Sequence, residues 1–304
     1  MKNNNKTILF RSFSVSMALV GATLFSIPSS ATEGGASAYP MGADNYLSGF
    51  LPPPGLYSQI YAEHYEANNL RGNDGRKLPV DFRVQVDAVV PRLIWVSDTT
   101  ILGGTSALHV MAPLAEIKAR VNGDSQRKQG LGDMTFGAGL GYHYSQNLHV
   151  IYGLDITAPT GSYDRNDIAN LGRNHWMIEP VLALTYVDPQ GLNADAKIMY
   201  DFNMKNPDTD YRSGQEFHVD YSVGWGVADG WVLGIGGYAY RQTTDDKQDG
   251  DRVEDNKGRA FAIGPSIKYS SSDGWFVTAK WQQETEVRNR AQGNAYWFKL
   301  VFPL

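Results

Sequence analysis

The stretch VDFRVQVDAVV, residues 80–90, alternates between apolar and polar side chains. Its apolar set is Val80, Phe82, Val84, Val86, Ala88 and Val90, and its polar set is Asp81, Arg83, Gln85 and Asp87. Side chains of a β-strand point to opposite faces with period two, so the pattern predicts a strand with one apolar and one charged face. Whether the apolar face contacts a soluble core or lipid decides the class of the protein.

The same unit recurs along the chain, as about ten alternating residues followed by a break. Clear examples are HVIYGLDITA, NADAKIMYDF and EFHVDYSVGWGV, at residues 149–158, 193–202 and 216–227. Sustained helical periodicity does not occur after the N-terminal region. The sequence therefore predicts an all-β protein with about twelve strands.

The breaks between the predicted strands alternate in length. Short breaks at 145–147, 187–191, 228–230 and 270–274 are separated by long ones at 159–174, 203–214, 243–258 and 285–294. A soluble sandwich has no reason to sort its loops in this way, whereas an outer-membrane barrel has short periplasmic turns and long extracellular loops. We therefore predict an antiparallel transmembrane β-barrel of this kind.

Aromatic residues cluster beside the short breaks, where a membrane interface favours amphipathic rings. They are Tyr142, Tyr144, Tyr186, Trp225, Trp231, Tyr269 and Trp275. This clustering favours lipid over a soluble core as the partner of the apolar faces. The polar faces are then predicted to face the lumen.

The N-terminal region is predicted to be a secretory signal peptide, residues 1–31, with a basic start, an apolar segment and small residues before Ala31. Residues 32–55, rich in Gly and Pro, are predicted to be a leader that could act as a plug, followed by the barrel at 56–304. We expect localisation in the outer membrane of a Gram-negative bacterium, in contact with its lipid. The alternating last strand, which ends at Leu304, is expected to be read by the outer-membrane insertion machinery.

Composition excludes several other classes of protein. The formal net charge of −5 gives no reason to expect a nucleic-acid partner. The chain has no cysteine, so disulfides cannot stabilise it.

No cofactor or catalytic residue is predicted, because no G-x-S-x-G motif occurs and no histidine lies in a local motif with a serine.

Polar residues at the inward positions are the candidate lining of a pore. They are Asp81, Arg83, Gln85, Asp87, Glu116, Lys118, Arg120, Asp155, Asp195, Lys197, Asp201, Glu216, His218, Asp220, Lys280 and Gln282. Mixed charges inside a closed barrel either line an aqueous path or fill the interior with ion pairs. Twelve strands lie between packed eight-stranded barrels and open porins, so both interpretations stay open.

Two polar motifs could bind a metal ion. Glu216, His218 and Asp220 share one face of EFHVD, although a hydrogen-bonded lumen network is the simpler interpretation. The acidic segment 245–255 fits an EF-hand only partly, since Lys247 takes a ligand position, and it is predicted to be a solvated outer loop. No metal site is predicted from either motif.

Seven segments occur in a familiar order: TEGGASAYPMG, LPPPGLYSQIY, GLGDMTFGAGLGYHY, DITAPTGSYD, NHWMIEPVLALTY, GYAYRQTTDD and GRAFAIGPSIKY. Together they resemble the MetA-pathway phenol-degradation family of outer-membrane transporter barrels, and the similarity runs from about residue 32 to the end. The resemblance implies passive uptake of small hydrophobic solutes, with aromatic compounds as the suggested class. The alternatives are a lipid-modifying enzyme of the outer membrane and a structural or general porin barrel.

The glycine-rich strand GLGDMTFGAGLGY is expected to place Gly137, Gly139 and Gly141 on the inner face. Small inner residues allow either a sharp bend or the close approach of another segment. The leader could be that segment. We therefore expect it to occlude part of the lumen in the periplasmic half.

Overall fold

The computed structural model describes residues 33–35 and 37–304, so the predicted signal peptide lies outside the described residues. After a short 3-10 turn at Glu33–Gly35, the described chain forms strands joined by turns and loops. No helix in this part of the chain is both long and apolar enough to cross a membrane.

The strands are β1 (Gly55–Leu70), β2 (Phe82–Ile101), β3 (Gly104–Met111), β4 (Leu114–Val121), β5 (Asp124–Leu131), β6 (Met134–His143), β7 (Leu148–Ala158), β8 (Met177–Val187), β9 (Leu192–Asn203), β10 (Tyr211–Arg212), β11 (Glu216–Ala228), β12 (Trp231–Gln242), β13 (Asp246–Gln248), β14 (Asp251–Val253), β15 (Arg259–Ser270), β16 (Phe276–Arg288) and β17 (Ala291–Pro303).

Antiparallel pairing closes the sheet into a barrel. β1 pairs with β17 on one side and with β2 on the other. β3 and β4 follow one another along β2, and β6 pairs with β3 while β5 pairs with β4. β3 and β4 thus form one wall strand with a short interruption, and β5 and β6 form another. The wall therefore has 12 strands, as predicted.

Loop lengths differ between the two ends of the barrel. At the end near Gly55, which we take as periplasmic, the strands are joined by short turns such as those at 102–103 and 229–230. Long loops at 159–176, 204–215 and 243–258 lie at the opposite, extracellular end. The long loop predicted at 285–294 was wrong, because β16 and β17 continue through it to a two-residue turn at 289–290.

Two extracellular loops are more ordered than the sequence suggested. β10, β13 and β14 form a separate three-stranded sheet. Within it Asp246 is fully buried, while the Asp245 carboxylate forms ion pairs with Arg252 and Lys257. The acidic segment is therefore a folded part of the extracellular end, with basic partners for Asp245.

The outer face of the wall carries a belt of exposed apolar side chains, as predicted. It includes Leu93, Trp95, Leu108, Phe136, Leu154, Phe217, Val223, Leu233, Ile235, Ile263 and Phe298. Near the short turns, the Trp231 and Tyr269 rings lie 4.7 Å apart and the Tyr269 and Trp275 rings 5.5 Å apart. The belt and the aromatic cluster match the lipid core and one interface of a membrane.

The register of β2 reverses the faces predicted for its first half. Directly opposite residues of an antiparallel pair lie on the same face. Val90 lies opposite Tyr61, and both are buried inside the barrel, whereas Asp87 lies opposite His64 and contacts it at 2.6 Å. The apolar set of residues 80–90 therefore faces inward.

Seven of the predicted lumen residues consequently lie on the outer face. They are Asp81, Arg83, Gln85, Asp87, Glu116, Lys118 and Arg120. They form outward ion pairs, such as Arg120 with Asp81 at 2.8 Å and Lys118 with Glu116 at 2.6 Å. Charges on this face are tolerated because the first half of β2, with β4 and β5, extends towards the extracellular loops, above the apolar belt.

The apolar belt makes a quantitative prediction for Leu154, which is 46% exposed on the outer face of β7. Replacing Leu154 by Arg should lower the free energy of unfolding in lipid vesicles by about 2–4 kcal/mol, because the charge would sit within the hydrocarbon layer. Denaturant titration of the folded barrel measures this loss. The matched control Gln146→Arg, at an exposed position in the short turn between β6 and β7, should change it little, and equal effects of both variants would contradict the predicted lipid contact.

Candidate functional site: the leader inside the lumen

The leader, residues 33–54, runs through the inside of the barrel from one end to the other. Near the extracellular end, Ser37 donates a hydrogen bond to Glu216 at 3.0 Å. Near the periplasmic end, the Pro53 carbonyl accepts a hydrogen bond from Tyr57 at 2.8 Å. The leader thus spans the lumen along its whole length, beyond the periplasmic half that the sequence suggested.

The described residues of the leader belong to no strand, so polar wall side chains satisfy much of their backbone. Asp220 accepts hydrogen bonds from the backbone N–H groups of Gly42 and Asp44, at 2.8 and 2.9 Å, and from the Tyr39 hydroxyl at 2.8 Å. Further along, the Ser48 N–H donates to Asp195 at 3.0 Å. Side chains of the wall thus supply hydrogen-bond partners for the leader.

Two buried lysines bind the leader's carbonyl groups. The Lys280 ammonium donates to the carbonyls of Ala43 and Asp44, at 3.2 and 3.0 Å. The Lys299 ammonium donates to Asp44 Oδ1 at 3.2 Å, to the Tyr46 carbonyl at 3.1 Å and to the Asn45 carbonyl. Both ammonium groups are buried, so these contacts replace the water that they lose on folding.

Glycines on the wall and in the leader allow the close approach. A Cβ on Gly141 of β6 would lie 2.7 Å from the Leu51 side chain of the leader. In the leader, Gly42 has φ of +78° and a Cβ there would meet Gln282 at 2.3 Å. The predicted inward position of the glycine-rich strand is thus correct, and the leader is the segment that approaches it.

A cavity of about 270 Å³ lies between the leader and the periplasmic half of the wall. Most of its lining is apolar: Leu47, Phe50, Leu51, Tyr57, Ile94, Ala107, Ile151, Val181, Ala183, Phe276 and Val301. Its charged lining residues are Arg92, Lys197, Lys299, Asp44 and Asp155, and its other polar ones are Ser48, Gln59, His109, Ser270 and Ser271. The cavity therefore combines an apolar body with a few charged groups.

A second polar cluster lies in the extracellular half of the lumen. His218 Nε2 lies 2.9 Å from Asp201 Oδ1 and 3.4 Å from Glu179 Oε2, and all three side chains are buried. The Tyr39 ring of the leader lies over the imidazole, with 4.8 Å between ring centroids.

The extracellular end of the leader is fixed by loop residues. The Glu33 carboxylate accepts hydrogen bonds from Tyr163 at 2.9 Å and from Asn206 at 2.7 Å. Burial and the hydrogen bond to Glu33 raise the pKa of Tyr163 to about 12, so its hydroxyl stays protonated and donates at neutral pH.

The structure places the other nine predicted lumen residues inside the barrel. They are Asp155, Asp195, Lys197, Asp201, Glu216, His218, Asp220, Lys280 and Gln282, and all are buried. The sequence analysis did not predict Lys299 as a lumen residue, although its alternation with the apolar Phe298 and Leu300 could have indicated an inward side chain. It also missed Glu179 and Asp44, for which no local pattern gave a signal.

The lysine contacts predict a large stability cost when one of them is lost. Replacing Lys299 by Met should lower the free energy of unfolding by about 3–5 kcal/mol, because Asp44 would remain buried without its closest cation. Denaturant titration measures this effect. Lys118→Met, which removes an outward, exposed lysine, is the matched control and should be nearly neutral; a neutral Lys299→Met would contradict the role of the lysine.

A closed antiparallel wall with an apolar outer belt, an aromatic cluster at one end and long loops at the other defines an outer-membrane β-barrel. The COG4313 outer membrane channel from Pseudomonas putida F1 is similar in structure, with a TM-score of 0.74 and 20% identity over 84% of this chain and 97% of that one. The translocator domain of the autotransporter NalP from Neisseria meningitidis has a TM-score of 0.49 and 9% identity, over 84% and 91% of the two chains.

A family model described as "Putative MetA-pathway of phenol degradation" matches residues 67–300. The chain belongs to this family, which confirms the resemblance noted in the sequence. No curated protein matches the chain. The protein is localised in the outer membrane of a Gram-negative bacterium, as predicted.

Proposed function

We propose that this protein is a non-enzymatic channel for passive uptake of small hydrophobic solutes, including single-ring aromatic compounds. The observation that carries the proposal is the largely apolar cavity of about 270 Å³ inside the barrel. An apolar protein cavity of about 150 Å³ can hold benzene, so the volume is sufficient for one substituted ring. The similarity to the P. putida outer membrane channel adds support for a channel.

The wall beside the cavity is lined by small residues and has apolar contacts on both sides. Ala107, Ala138, Gly139 and Gly153 line the cavity and also a groove of about 560 Å³ on the lipid-facing side. The rest of that groove includes Trp95, Leu108, Tyr152 and Leu154. This arrangement supports exchange of apolar solutes between the cavity and the surrounding membrane.

Solute binding to the cavity can be tested with phenol and toluene as probes. Replacing Ile151 by Asn should weaken toluene binding by about 5- to 150-fold, because an unpartnered buried amide costs about 1–3 kcal/mol. NMR titration of the refolded protein measures the dissociation constant. Ile151→Leu keeps the lining apolar and should bind nearly as the parent does; absence of toluene binding in the parent would sink the proposal.

The leader is proposed to act as a plug that restricts the passage of ions. Its hydrogen bonds to Glu216, Asp220 and Asp195 follow the lumen from the extracellular half to the periplasmic half. This path leaves the space inside a twelve-stranded wall largely filled by the leader and the side chains that bind it.

Deletion of residues 33–52 should therefore raise the single-channel conductance in planar bilayers severalfold. The intact protein and Gln146→Arg, which changes an exposed side chain in the short turn between β6 and β7, serve as references for a folded barrel with its leader in place. Unchanged conductance of the deletion variant, with its heat-modifiable electrophoretic mobility retained, would count against the plug.

A further inference from the structure

Glu179, Asp201 and His218 lie on β8, β9 and β11, three neighbouring strands of the wall. Each offers one ligand atom, and these atoms lie within 4.8 Å of one another. The His218 Nε2 atom is 2.9 Å from Asp201 Oδ1 and 3.4 Å from Glu179 Oε2. Two ligands of a tetrahedral zinc ion with bonds of about 2.0–2.1 Å lie about 3.3 Å apart, so both separations are close to those of a metal site.

Atoms of this cluster lack the hydrogen bonds that their burial requires. Glu179 Oε2 and Asp201 Oδ2 have no hydrogen-bond partner within the described residues, and both residues are at most 1% exposed. The same is true of Glu216 Oε2, on the same face of β11 as His218. Unpaired carboxylate oxygens that are shielded from water indicate a bound ion or water.

Charge balance favours an ion over water. Even a protonated His218 would neutralise only one of the Glu179 and Asp201 carboxylates, whereas a divalent cation bound by a neutral imidazole neutralises both. Two nearby cations have partners outside the cluster. Lys197 pairs with Asp44 at 3.5 Å, and Arg290 lies 4.3 Å from the Tyr240 ring and donates to Ser37.

We propose that Glu179, Asp201 and His218 bind one divalent transition-metal cation, of which Zn²⁺ is the representative probe. Imidazole and carboxylate ligands together suit Zn²⁺ better than Mg²⁺ or Ca²⁺, which prefer oxygen alone. The ion would join three strands, and the Tyr39 ring of the leader covers the imidazole. The site is structural, and it is independent of the solute that the channel carries.

The ion is expected to enter during folding, because the leader covers the cluster. The test refolds chelator-treated, denatured protein with equimolar Zn²⁺, removes free metal by gel filtration and counts bound zinc by mass spectrometry. The expected result is about one Zn²⁺ per chain in the parent, and close to none in Asp201→Asn and His218→Gln. Both substitutions keep the approximate size of the side chain. The zinc content of the unsubstituted protein alone decides whether a site exists.

Other histidines provide the matched controls. His143 Nδ1 and His149 Nδ1 lie 2.6 Å apart, and His109 Nε2 lies 3.0 Å from Asp155. The double variant His143→Gln/His149→Gln and the single variant His109→Gln should each retain about one Zn²⁺ per chain. Absence of zinc from the parent, or its persistence in both His218→Gln and Asp201→Asn, would overturn the proposal.

Discussion

The ammonium groups of Lys280 and Lys299 hold the leader's backbone in the lumen, and the rest of the interior depends on this contact. A twelve-stranded wall encloses more space than its own inward side chains fill. The leader occupies that space, but it brings carbonyl and N–H groups that no strand pairs with. The lysines bind the carbonyls and Asp220 binds the N–H groups, so that protein groups partner both the leader backbone and the buried charges.

The same contacts divide the lumen into regions of different chemistry. In the periplasmic half, Phe50 and Leu51 of the leader face apolar wall residues across a cavity. In the extracellular half, Tyr39 covers a cluster of carboxylates around His218. An apolar solute would meet the first region and a cation the second. The leader segment inside the barrel therefore lines the apolar cavity in one half of the lumen and covers a polar cluster of the wall in the other.

Alternation along the strands predicted the barrel well, because the period of two follows from strand geometry alone. It assigned the wrong face to the inside in the first half of β2 and in β4. In β2 the charged face points outward, since Asp87 and His64 pair beyond the apolar belt, and the apolar face packs against Tyr61 within the lumen. The rule that charge faces the lumen holds only within the lipid layer, as Asp195 and Lys280 illustrate.

The sequence by itself determined the all-β class, the twelve-stranded wall and the lipid-facing belt, because each follows from local alternation and from the spacing of turns. It also indicated nine of the inward polar residues. The tertiary structure decided the path of the leader and the partners of Asp44, which come from strands more than 150 residues away. It likewise brought Glu179 to His218. Such contacts depend on closure of the barrel, which sets distances between strands that no local pattern encodes.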